Sequence, residues 1–167
     1  MLPSGKAEEN DRPLSSAGAA AALALAESLT AEPIAAVYSS PYARAVETAL
    51  PIAAAHGVEV QIVDDLRERL LSPHPLDDWY ADVRTTWDDF DHALPEGESS
   101  RAAQERANRA LADLAARHPR ETIVAASHGN LIALILNARD DAVGFEFWDA
   151  MPMPALYELE IGIGGSG

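Results

Sequence analysis

Short apolar segments alternate with amphipathic helical stretches along most of this chain, and that alternation restricts the fold more than any other feature. Residues 34–38 are apolar and include β-branched valine and isoleucine. Residues 58–63 alternate apolar with polar, Thr122–Ala126 is an apolar run, and residues 155–163 alternate again. Each reads as a strand. Between them lie helical stretches with recognisable ends. Ser15 or Ser16 caps a helix running to about Thr30, its packed face made of Leu23, Leu25, Leu29 and alanines. Pro41 takes the first helical position of the next, which closes at His56-Gly57. Ser99 or Ser100 starts a long helix to His118, ended by Pro119, and Gly129-Asn130 opens another through Leu136. Strand–helix alternation of this kind predicts an α/β fold, a mostly parallel sheet with helices on both faces.

The 167 residues are read as one domain, residues 1–167, without internal repeats. Residues 69–96 depart from the pattern, holding Trp79, Tyr80, Trp87, Phe90 and clustered aspartates. They are expected to form a partly helical cap inserted in the domain, its aromatics serving either the core or a bound leaving group. The Gly-rich end, 164–167, reads as a flexible tail.

A net charge of −15 disfavours nucleic acid and anionic membranes as partners. The alanine-rich stretch 17–29 follows acidic rather than basic residues and contains Glu27, so it reads as a cytoplasmic protein's helix and not a leader. With no cysteine, thiol catalysis, disulfides and thiolate metal sites are excluded. The five histidines are scattered, so no metal or other cofactor is expected. Composition sets no oligomeric state.

Three clusters fall where parallel sheets place their sites, at the carboxyl ends of strands. The first, Tyr38-Ser39-Ser40-Pro41-Tyr42-Ala43-Arg44, leads from strand to helix. The helix start favours an anion, and Arg44 offers a bidentate fork, although by itself it also reads as an exposed helix arginine. The second is Ser127-His128-Gly129-Asn130, a histidine at a strand-to-helix elbow that as imidazolium would donate to a phosphate oxygen. The third is Asp65-Leu66-Arg67-Glu68, whose Glu68 has the chemistry of a proton donor but gains weight only from its neighbours.

Taken in order, these strings resemble a known family. SSPYARAVETA is similar to the histidine phosphatase motif carrying a phosphate-binding arginine, DLRE to the one carrying an acid/base glutamate, and SHGNLIALIL to the one carrying the second active-site histidine. PEGESSRAAQERANRAL is similar to the GES segment and its helix, and residues 10–18 to the stretch after the first motif. The chain therefore resembles the phosphoglycerate-mutase-like histidine phosphatases, over nearly its whole length. The resemblance implies that Arg44 and His128 bind the phosphoryl group and that Glu68 is the proton donor. It implies hydrolysis of a small phosphomonoester without metal, rather than mutase activity, because the segment from Glu68 to Gly97 is short.

The family's nucleophile is a histidine in an Arg-His-Gly motif ending the first strand. Aligned with it, this chain has Pro3 at the arginine and Ser4 at the nucleophile, with only Met1 and Leu2 left of the central strand. Ser4 and Asn10 are expected at the rim of the phosphate site as hydrogen-bonding groups. Hydrolysis is expected to be impaired as written. The alternatives are a catalytically inactive phosphate-binding or regulatory relative, or an altered or truncated version of an active protein.

Overall fold

The structure, a computed structural model, describes residues 10–162. Three strands, β1 (Ile34–Ser39), β2 (Val60–Ile62) and β3 (Thr122–Ala126), form a parallel sheet in the order β2-β1-β3. Helices α1 (Ser16–Ser28), α2 (Ala43–Ala55), α3 (Trp79–Asp88), α4 (Ser100–Arg117), α5 (Gly129–Asn137) and α6 (Phe145–Asp149) surround it. Among the described residues no helix is long and apolar enough to cross a membrane.

Side-chain alternation along the strands builds two cores. Ala36 and Tyr38 of β1, with Ile123 and Ala125 of β3, face α3, α4 and α5. Val37, Val124 and Ala126 face the other way, onto α1 and α2. Ile34 joins this second group because the β1–β3 register shifts between Ile34 and Ala36.

The helix boundaries follow local chemistry. Ser15 Oγ accepts from the Gly18 amide at 3.0 Å, and Ser99 Oγ from Ala102 at 3.1 Å, so both serine caps form as read. Gly57, at φ 66°, takes the left-handed position after α2. Two details differ from the sequence reading. Pro41 lies ahead of α2 because Tyr42 is the N-cap. On α1 the buried face is Ala22, Ala26 and Leu29, whereas Leu23 is exposed, since the small residues permit close approach to α2.

Two strand readings also change. Residues 155–162 form no strand among the described residues. Tyr157, Leu159 and Ile161 are half-buried while Glu158, Glu160 and Gly162 are exposed, so the period of two is present without a ladder. Strand β3 is half-buried rather than fully buried, because it pairs with β1 on one side and is the last strand of the described sheet on the other. Within residues 69–96 the structure has one α-helix, α3, whose N-cap Asp78 accepts from the Ala81 amide. Trp87 is in the core, but Trp79 and Tyr80 are not.

Leu134, fully buried in the α4–α5 side of the core, is a sensitive point. Leu134→Ala is expected to lower unfolding free energy by about 2–5 kcal/mol through lost burial and a residual cavity, read from urea denaturation.

Candidate active site

All three clusters end at the same edge of the sheet, because parallel strands point their carboxyl ends one way. The ladder continues past the strands: the Ser40 amide donates to the Ala126 carbonyl and the Val63 amide to the Ser39 carbonyl, both at 2.9 Å. These bonds hold the three connecting loops side by side. Further side-chain bonds lock them. Ser127 Oγ donates to the Leu66 carbonyl at 2.6 Å. The buried Arg106 of α4 grips the Glu98 carboxylate with Nε at 2.8 Å and Nη2 at 2.9 Å. Its Nη1 donates to the Asp65 and Arg67 carbonyls at 2.6 and 3.0 Å. Gly97 permits this arrangement, since a side chain there would collide with the Leu71 carbonyl oxygen.

Glu68 is built into the start of α5. Its Oε1 accepts from the Leu131 amide at 3.0 Å and its own neighbour Arg69 at 2.8 Å, while Oε2 accepts from Asn130 at 3.1 Å. The N-cap of α5, His128, provides no side-chain cap, so a carboxylate from another loop satisfies the first amides instead. Burial raises the Glu68 pKa, and the three amides and Arg69 only partly offset it. Arg69 is itself buried, with its guanidinium nitrogens lacking hydrogen-bond partners and with Glu68 and Glu98 as the nearby opposite charges.

His128 is buried and its Nε2 lies 2.7 Å from Ser40 Oγ, which also accepts from the Tyr42 amide at 3.2 Å. Burial first, then Arg44 and Arg106, lower its pKa to about 3. Desolvation and two guanidinium charges thus favour the neutral ring when no anion lies beside it, whereas the sequence reading is of an imidazolium donating to a phosphate. Tyr42 lies between the other two groups: its ring is 5.0 Å from that of His128 and 5.7 Å from the Arg44 guanidinium carbon.

Arg44, Glu68 and His128 line one open cavity of about 360 Å³, together with Asn130 and a group of large apolar side chains. Asn10, half-exposed, is not among the described lining residues; four residues on, the Leu14 amide N–H donates a hydrogen bond to Glu47 Oε2 of α2 at 2.6 Å. Ser4 and Pro3 lie outside the described residues. Three of the other four histidines make contacts elsewhere: His56 caps α2 and contacts the Leu29 carbonyl, His74 pairs with Glu96, and His118 with Tyr38 and Glu121, while His92 lies in the turn after α3. No group of three or more metal-ligating side chains occurs among the described residues.

Sequence reasoning missed Ser40 and Arg106. Both lie inside strings that were singled out, but a serine or helix arginine shows its contacts only in three dimensions. It also missed Trp148 and Asp149, far along the chain from every motif.

Residues 6–162 match the histidine phosphatase superfamily (branch 1), and the chain belongs to that superfamily. Solved structures agree in fold. A mycobacterial glucosyl-3-phosphoglycerate phosphatase in complex with VO3 is 27% identical, with TM-score 0.69, covering 85% of this chain and 75% of its own. YhfR of Bacillus stearothermophilus is 26% identical, with TM-score 0.68, covering 90% and 76%. A mycobacterial hydrolase is 29% identical, with TM-score 0.66, covering 75% and 68%. A sequence search of curated proteins finds no match.

Ser40 supplies a direct test of the site's rigidity. Ser40→Ala leaves His128 Nε2 buried without its partner and is expected to cost about 1–3 kcal/mol of stability, read from urea denaturation at neutral pH.

Proposed function

We propose that this chain binds a small phosphomonoester in the cavity shared by Arg44, Glu68 and His128, and that its hydrolytic step is impaired. The observation that carries the reading is that these three side chains, from three separate loops, line one cavity beside two helix starts. Arg44 presents a planar fork to two phosphoryl oxygens. His128, held by Ser40, donates a further hydrogen bond and gains charge as the anion binds. Glu68 in its acid form gives its proton to the departing alkoxide as the ester P–O bond breaks, and water restores the fourth oxygen.

In the superfamily route, as the resemblance has it, a histidine takes the phosphoryl group before water does. Aligned by that resemblance, Ser4 falls at the histidine's position, outside residues 6–162 that match the family and outside the described residues. A serine there needs a base to become a nucleophile, and removing a covalent intermediate removes a pathway rather than one contact. The second reading, a phosphate-binding or regulatory relative without turnover, rests on the same substitution.

Two measurements test this. In a steady-state assay on 4-nitrophenyl phosphate with chelator present, the chain is expected to turn over orders of magnitude more slowly than an intact histidine phosphatase, with no acid-labile phosphohistidine trapped anywhere on the chain. Robust turnover abolished by Ser4→Ala would overturn the impaired reading. The residual rate is expected to fall as pH rises, with its midpoint displaced upward from the ordinary carboxyl value of 4.5, because only protonated Glu68 is an acid. Glu68→Gln should remove that limb from the profile of single-turnover rate against pH.

A further inference from the structure

The described wall of the cavity has two chemically different ends. Arg44, Glu68, His128 and Asn130 form the polar end; Trp79, Tyr80, Trp148, Met151 and Met153 form the other, with Asp149 beside them. The two ends adjoin. A side-chain carbon placed on Gly129, next to His128, would lie 3.8 Å from Met153 Sδ and 4.0 Å from Trp148 Nε1. A group esterified to a phosphate at the polar end therefore meets the rings without a spacer.

Core packing accounts for Trp87, 8% exposed, but not for Trp79, Tyr80 and Met153, which are 54%, 45% and 71% exposed. Large apolar side chains left open to water around one cavity are a binding feature rather than a packing remainder. The rings also touch each other. Trp79 and Trp148 have centroids 5.8 Å apart at 57°, and Trp79 and Tyr80 6.5 Å apart at 46°. They form a contiguous cluster of tilted rings, and the exposed face of any one of them offers a flat ring a stacking or edge contact.

Charge narrows the choice further. Among the described lining residues Arg44 is the only lysine or arginine, and it belongs to the polar end. At the aromatic end the Asp149 carboxylate accepts from Tyr80 Oη at 2.7 Å and remains exposed. A carboxylate or second phosphate on the leaving group would face Asp149 with no cation among the described lining residues of that end to answer it, the neighbouring Arg84 being paired with Glu146, in a chain of net charge −15.

We infer, resting on the phosphomonoester reading, that the aromatic end is the leaving-group subsite and that the substrate class is the monophosphate of an uncharged, flat-ring alcohol. Esters whose leaving group is itself anionic are disfavoured.

Calorimetric titration of the full chain with 1-naphthyl phosphate, glycerol 3-phosphate and 3-phosphoglycerate tests this. The naphthyl ester is expected to bind about tenfold more tightly than the glycerol ester, the increment of one stacked aromatic contact. 3-Phosphoglycerate is expected to bind weakest. Trp79→Ala and Trp148→Ala should each shrink the naphthyl-to-glycerol ratio, Trp79→Phe should retain most of it, and Asp149→Asn should selectively improve 3-phosphoglycerate. Equal affinities for the naphthyl and glycerol esters, or a ratio that survives Trp79→Ala combined with Trp148→Ala, overturns the ring subsite. Arg44→Ala separates this from the underlying reading. Loss of affinity for every ester leaves the phosphate site standing, whereas undiminished naphthyl phosphate binding sinks the phosphate reading while the ring subsite stands.

Discussion

The carboxylate of Glu68 lies against the first amides of α5, and most of the site's geometry depends on that contact. It crosses from the loop after β2 to the loop after β3, so it fixes Glu68 and His128 relative to each other. Two opposing effects act on the same group. The helix start favours the anion, and burial favours the acid. Burial is the larger, so the pKa rises. A carboxyl group positioned by amides yet biased toward its protonated form is suited to giving a proton to a leaving alcohol, and the same contact also orders the loops. Arg106 supports it from behind by holding the Asp65 and Arg67 carbonyls, which keeps the Glu68 loop from moving away from α5.

The parallel α/β character was readable because strand and helix periods alternate in the sequence, and Ser15, Ser99 and Gly57 mark boundaries by local hydrogen bonding and φ alone. The strand reading of 155–162 was less secure for a physical reason. Alternation records which side chains turn inward, and Tyr157, Leu159 and Ile161 do so. A strand also needs a neighbouring backbone, which no pattern within the segment specifies. Similarly, an apolar run such as Thr122–Ala126 states that both faces are covered but is silent about the strand's edge.

At the site, residues whose chemistry is conspicuous were legible and residues whose role is relational were not. Arg44, Glu68 and His128 stand out because each follows a strand end. Ser40 matters only because His128, 88 positions later, comes within 2.7 Å of it. Among the aromatics, Trp79 and Trp87 are eight residues apart, and composition gives them one meaning. Their positions on α3 give them two: Trp87 joins Val83 in the core, while Trp79 begins the helix at the cavity mouth.

Electrostatics tie these parts together. The chain is strongly acidic, yet Arg44, Arg67, Arg69 and Arg106 cluster around the three loops. Arg67 is matched by Asp64 and Asp65, and Arg106 by Glu98. Arg69 is buried and absent from the cavity lining, where Arg44 is the one arginine among the described lining residues. With His128 neutral, a phosphate bound as proposed meets less positive charge than the sequence alone suggests. An anion beside His128 favours the protonated ring in turn, because it offsets the guanidinium charges that hold its pKa near 3. On the proposed reading, phosphate binding and proton uptake are therefore one linked equilibrium. On that same reading, the neutral ring avoids the cost of a buried, uncompensated imidazolium, and the cation forms as a phosphate binds beside it.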